Sequence, residues 1–130
     1  VLGADGVQAG TRFVACEEAS SHEAFKQAVL AAGEGDTQLS LKKLVPVRLL
    51  KNPFYQLVAQ AEARGAGTEE LKALLGRARA KKGMFEGDMD NGELEIGQVS
   101  CLVKNMLPAA EIVRNFREEF TGAVQHPFIY

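Results

Sequence analysis

The chain carries one convincing strand signal, and it lies at the very start. Residues 7–14 (Val7-Gln8-Ala9-Gly10-Thr11-Arg12-Phe13-Val14) are rich in β-branched and aromatic side chains and bounded by glycine. Gly3 and Gly6 ahead of them suit a helix C-cap and a tight turn. A small-residue loop then opens toward a helix, as in one βα unit of a parallel sheet. No later segment offers a convincing partner strand. A lone strand leaves its N–H and C=O groups unpaired, so we expect this chain to be the end of something larger. Its first residue, Val1 rather than Met, suits a processed, trimmed or partial chain.

The remainder reads mainly as helix. Ser20 and Ser21 offer N-caps, Glu23 sits in the first turn, and Phe25, Ala28, Val29 and Ala32 recur at helical spacing until Gly33. Residues 35–40 look like a polar turn. In residues 39–50, Leu41, Leu44, Val45, Val47, Leu49 and Leu50 fit helix or strand. Pro46 interrupts either, so we read an irregular crossing segment. Asn52-Pro53 predicts a capped helix start with a Phe54, Leu57, Val58, Ala61 stripe, ended by Gly65. Thr68 predicts a further cap, with Leu71, Leu74 and Leu75 facing inward. Residues 83–92 read as loop, and Leu94, Ile96, Val99, Leu102 and Val103 as a short buried helix or, failing that, a strand. Pro108 opens a last helix with Ala109, Ile112, Val113, Phe116 and Phe120 inward, closed by Gly122. Phe128 and Tyr130 look able to dock the tail. The expectation is one strand followed by about five helices.

Composition removes several function classes. A net charge of −2 gives no footing for nucleic acid. No apolar run reaches the ~18 residues needed to span a bilayer, and no signal-peptide pattern opens the chain. Cys16 and Cys101 lack metal or disulfide spacing and read as idle thiols of a cytoplasmic protein.

The candidate chemistry concentrates after the strand. Gly6-Val7-Gln8-Ala9-Gly10-Thr11 puts small residues where α/β folds bind ligands, with backbone N–H groups and a hydroxyl suited to a phosphate. A tight packing turn is the other reading. Strand alternation would put Gln8, Gly10 and Arg12 on one side, with Arg12 either a phosphate partner or half of a structural ion pair. His22 reads as a capping or packing residue and His126 as solvated, so no residue is assigned a catalytic role. Arg77, Arg79, Lys81 and Lys82 suit a solvated helix end, or attraction of a phosphorylated cofactor or acidic carrier protein. The acidic run from Glu86 to Gly92 fails as a calcium loop, because with Asp88 first the glycine falls fifth rather than sixth. Gln98 after Gly97 is either a ligand contact or a backbone tie.

Several segments, in order, resemble one family. Residues 3–13 (Gly3-Ala4-Asp5-Gly6-Val7-Gln8-Ala9-Gly10-Thr11-Arg12-Phe13) are similar to the flavin-phosphate strand of nitronate monooxygenases (2-nitropropane dioxygenases) and the related enoyl-acyl-carrier-protein reductase II. His22-Glu23-Ala24-Phe25-Lys26, Val47-Arg48-Leu49-Leu50-Lys51-Asn52, Gly83-Met84-Phe85-Glu86-Gly87-Asp88 and Gly92-Glu93-Leu94-Glu95-Ile96-Gly97-Gln98-Val99 resemble its later motifs. Ala9 replaces a larger apolar residue, and Ser100-Cys101 a common Ala-Gly pair. The resemblance implies an α/β fold in which residues 1–130 form the C-terminal segment of a single FMN-binding TIM (β/α)8 barrel domain, its last strand plus the following helices. It implies that Gln8, Gly10 and Thr11 help hold the FMN phosphate, with Gly97 and Gln98 returning toward the active-site side. It implies a small nitronate or an enoyl thioester as substrate, and admits NAD(P)H, an acyl carrier protein and a homodimer. The family's catalytic histidine would lie upstream of Val1. A non-catalytic helical module is the reading of another class.

Overall fold

The computed structural model describes residues 3–125. The expectations for His126, Phe128 and Tyr130 lie outside them.

The first correction concerns the opening strand. Residues 3–10 form no strand and pair with nothing among the described residues, and Val7 is 91% exposed. Helix α1 (Thr11–Val14) follows at once. Gly10 starts it, its carbonyl accepting from the N–H groups of Phe13 (2.9 Å) and Val14 (3.2 Å). The alternation inferred across residues 7–14 therefore stops at Thr11. A strand needs a neighbour to hold its ladder, and none lies beside this segment.

Strands form instead in the stretch expected to be a polar turn and in the ambiguous segment after it, where ladder pairing overrides the local signal. β1 (Thr37–Ser40) and β2 (Val47–Leu50) pair antiparallel, with Thr37 opposite Leu50 and Ser40 opposite Val47. Pro46 falls in the connection, where it costs no ladder bond. Leu41 takes positive φ (55°) to turn the chain. Residues 94–96 add a short rung, since Leu50 N–H donates to Leu94 O (2.9 Å) and Ile96 N–H to Arg48 O (3.1 Å).

β2 divides two cores. Adjacent strand residues point to opposite faces. Leu50 joins Ala15, Phe25, Val29, Leu94 and Ile96 in one cluster, while Leu49 joins Leu41, Phe54, Val58, Ala61 and Leu71 in the other. Helix α2 (Glu23–Ala31) builds the first, α3 (Pro53–Ala63) and α4 (Thr68–Leu75) the second.

Asn52 caps α3 as expected, its Oδ1 accepting from Tyr55 N–H at 2.8 Å. Its Nδ2 also donates to Met89 O (2.8 Å) and Gly92 O (2.9 Å), tying the helix start to the 85–92 loop. Leu57, expected inward, is half exposed. Gly67 rather than Thr68 occupies the N-cap of α4, without a side-chain bond. Helix α5 (Arg79–Met84) was not foreseen, because Gly83 reads as a loop residue. Gly83 is helical and buried because only a glycine fits there. A Cβ would lie 2.7 Å from Leu94 Cδ2 and 2.8 Å from Glu93 O. The last helix, α6 (Ala109–Gln125), runs through Gly122 and buries Ile112, yet leaves Val113, Phe116, Phe120 and Val124 at least 40% exposed. No helix is long and apolar enough to cross a membrane.

Candidate functional site

The end of the unpaired N-terminal segment has unused donors. Gly10, Thr11 and Arg12 precede the first residue of α1 whose N–H finds an acceptor, so their N–H groups have no backbone partner among the described residues. The hydroxyl of Thr11 makes no hydrogen bond there either. Gly6 and Gly10 have open space where a Cβ would stand. Free amides beside an uncrowded backbone suit an oxyanion.

A hollow of about 520 Å3 lies against this loop, lined by Gln8, Gly10 and Thr11 together with Val99, Leu102 and Phe116. The three loop residues singled out in the sequence thus share one concavity. Val99 and Leu102 belong to the 3-10 turn Gln98–Leu102, and Phe116 to α6, where its ring meets Phe13 edge-on at 6.2 Å. Val99, Leu102 and Phe116 look like core residues in the sequence, and nothing there signals their exposure.

Arg12 is tied to a neutral partner rather than held in the expected ion pair. Its Nη1 donates to Asn105 O (2.9 Å) and its Nη2 to Asn105 Oδ1 (2.6 Å), fastening α1 to the segment before α6. Asn105 carried no sequence signal. Gly97 does return to the loop, packing so closely that a Cβ there would collide with Thr11 Oγ1. Gln98 lines a separate hollow with Gly33 and Cys101. Ser100, part of the unusual Ser-Cys pair, is fully buried, and its Oγ lacks a partner among the described residues.

The other candidates are structural. His22, not Ser20 or Ser21, is the N-cap of α2. Its Nδ1 accepts from Ala24 N–H (3.1 Å), and its ring covers Gly87, where φ is +79°. Ser21 Oγ donates to Val14 O at 2.8 Å. The basic cluster lies around α5 rather than at the end of α4. Arg79 donates to Leu75 O (2.8 Å) and Asn91 O (2.9 Å) and lies 4.6 Å over the Phe54 ring, while Lys81 pairs with Glu86 at 3.1 Å. In the acidic run, Asp88 Oδ1 accepts from Asn91 N–H at 2.9 Å, which closes a turn and holds the Asp88 carboxyl below its ordinary range. Glu18 is lowered likewise by the N–H of Ala109 at the start of α6, 2.8 Å away. Glu93 goes the other way, pushed up to about 7 by burial and then by Glu95, against the pull of Arg79.

Fold and site together define an α/β segment in which an amide-rich loop meets a glycine-led turn beneath an exposed apolar shelf. The chain belongs to the nitronate monooxygenase family, which matches residues 1–119. This meets the expectation drawn from the ordered motifs. The nitronate monooxygenase of Paraburkholderia phytofirmans is 30% identical over 127 residues, taking in 95% of this chain and 34% of that protein. That of Neurospora crassa is 29% identical over 123 residues, 91% of this chain and 32% of its own. FabK from Thermotoga maritima superposes with a TM-score of 0.85 at 30% identity, covering 95% of this chain and 39% of that one. The chain spans about a third of the length of the relatives it matches.

Proposed function

We propose that this chain forms the C-terminal segment of a single FMN-binding (β/α)8 barrel, and that the complete protein is an FMN-dependent oxidoreductase oxidising alkyl nitronates with O2. The observation that carries the reading is the unpaired segment of residues 3–10 beside an exposed apolar shelf. Val7, Leu102 and Phe120 are 91%, 76% and 69% exposed, as expected of a barrel strand and its flank when the neighbouring strands are not beside them. Family membership supports a barrel of this kind.

In this reading Gln8, Gly10 and Thr11 hold part of the FMN phosphate at the C-terminal end of the last strand. The N–H groups of Gly10, Thr11 and Arg12 supply fixed partial charge without net cationic side chains. The absent side chain of Gly10 admits close approach of an oxyanion, and Gly97 backs the Thr11 hydroxyl. FMN, when bound, supplies the redox chemistry, and the protein contributes binding, orientation and electrostatics. His22, capping α2, is committed elsewhere, and the proton-transfer group is assigned to the remainder of the complete protein. That protein is proposed to be cytoplasmic.

The likeness to FabK favours a second reading, NAD(P)H-dependent reduction of an enoyl thioester, with an acyl carrier protein as partner. Assaying the complete enzyme with an alkyl nitronate and with an enoyl thioester separates the two. We expect O2 consumption with the nitronate. Turnover of the thioester alone establishes the second reading, and turnover of neither leaves a shared fold without the activity. Gly10→Ala tests the site. A Cβ there meets nothing within 4 Å and φ is −102°, so thermal unfolding should hold while FMN affinity, read from flavin fluorescence, falls at least about tenfold. Unchanged affinity removes Gly10 from the phosphate site.

A further inference from the structure

Glu93 and Glu95 lie two apart on the extended run beside β2, where alternate residues share a face. Leu94 and Ile96 go into the core, and both carboxyls line a hollow of about 320 Å3 on the other side. Its remaining walls are apolar, from the hairpin connection (Leu41, Leu44, Pro46) and α4 (Leu75). It shares no lining residue with the hollow at Gln8 and Thr11.

Glu93 is only 7% exposed, and no donor among the described residues bonds its carboxyl. Arg79, the cation nearest in effect, is committed to two carbonyls and the Phe54 ring. The fully buried side-chain oxygen without a partner among the described residues is Ser100 Oγ, so the Glu93 carboxyl, little exposed as it is, opens into the hollow, where a cation can reach it. A hard metal ion suits it poorly, since such ions want six or more oxygens and the described residues bring no third ligating side chain into the group. Two carboxylates inside an apolar collar match an ammonium group on a short hydrocarbon stem. We propose that this hollow is a binding site for small primary alkylammonium compounds, with Glu93 and Glu95 as the ion-pairing groups.

The site is independent of the flavin reading. The charged groups facing Glu93 are Glu95 from its own run and Arg79 from α5, while the hairpin connection and α4 present only apolar side chains to the hollow. Glu93 must ionise to pair, so affinity rises with pH through about 7.

The test is an NMR titration of the methyl-labelled protein with butylammonium chloride at pH 8 and pH 6, at constant ionic strength. Butan-1-ol and potassium chloride serve as comparators. The expected result is saturable shifts of the Leu41, Leu44 and Leu75 methyls at pH 8, at least about fivefold weaker at pH 6. Glu93→Gln should weaken binding more than about tenfold, and Glu34→Gln, on an exposed turn, should leave it unchanged. Absence of saturable shifts, an equal response to butanol or potassium, or unchanged binding by Glu93→Gln overturns the proposal. Should Glu93→Gln not fold, Glu95→Gln must weaken binding at least about threefold, and an unchanged affinity there overturns it equally.

Discussion

Gly97 and Thr11 show how little space separates the candidate loop from its backing turn. A methyl at position 97 would meet Thr11 Oγ1, although φ is an ordinary −70°. Gly97→Ala should therefore destabilise by about 1–3 kcal/mol in urea unfolding, through overpacking alone. Removing the opposing hydroxyl with Thr11→Ala should recover most of that loss, a coupling read by the double-mutant cycle. Additive losses would mean that the two residues do not press on each other. Glu93 makes a second prediction. Its folded pKa lies above its ordinary 4.5, so the folded state resists ionising. Below 4.5 both states are protonated and nothing is lost. Between 4.5 and 7 the unfolded chain ionises first, so stability falls with rising pH and levels off above 7. The full drop is up to about 3 kcal/mol, and Glu93→Gln should flatten the profile over that window. A wild-type profile already flat there refutes the shift.

At the scale of elements, the helices with a cap and a stripe were legible. Asn52-Pro53 announced α3, and Phe54, Val58 and Ala61 its buried face. Asn52 does more than cap. Asn52→Ala loses the Tyr55 N–H acceptor and strands two carbonyls, which should cost about 2–3 kcal/mol. Asn52→Asp, which caps equally well but cannot donate, should fail to rescue it in the same denaturation series. Full rescue by Asp would mean that only the cap matters. The hairpin was not legible, because the leucines and valines of residues 39–50 carry neither a clean period of two nor one of 3.6. Pairing to each other, and of β2 to residues 94–96, decided it. Gly83 hid α5 for the opposite reason. Propensity reads glycine as a breaker, and close packing against Glu93 and Leu94 overrode that.

At the scale of the molecule, the apolar shelf is the main consequence. Val113, Phe116, Phe120 and Val124 carry the helical spacing of a buried stripe, yet α6 lays only Ile112 into the core. A 130-residue chain with this surface should self-associate at tens of micromolar in sedimentation velocity, and Phe120→Ser should reduce that without moving the urea midpoint. A monomeric wild-type chain would mean that the shelf is too small to drive association.

The sequence alone determined the helical stripes of α2, α3 and α6, the Asn52 cap, and the order of motifs that marks the family, since all of these depend on neighbours a few residues apart. It also singled out Gln8, Gly10 and Thr11 as a group. Tertiary structure decided what depends on contacts between distant residues. It spent Arg12 on Asn105, set Gly97 against Thr11, put β2 between two cores, and turned the little-exposed Glu93 into a hollow. It also left residues 3–10 outside any strand, because a strand is a property of a pair and its ladder needs a neighbour.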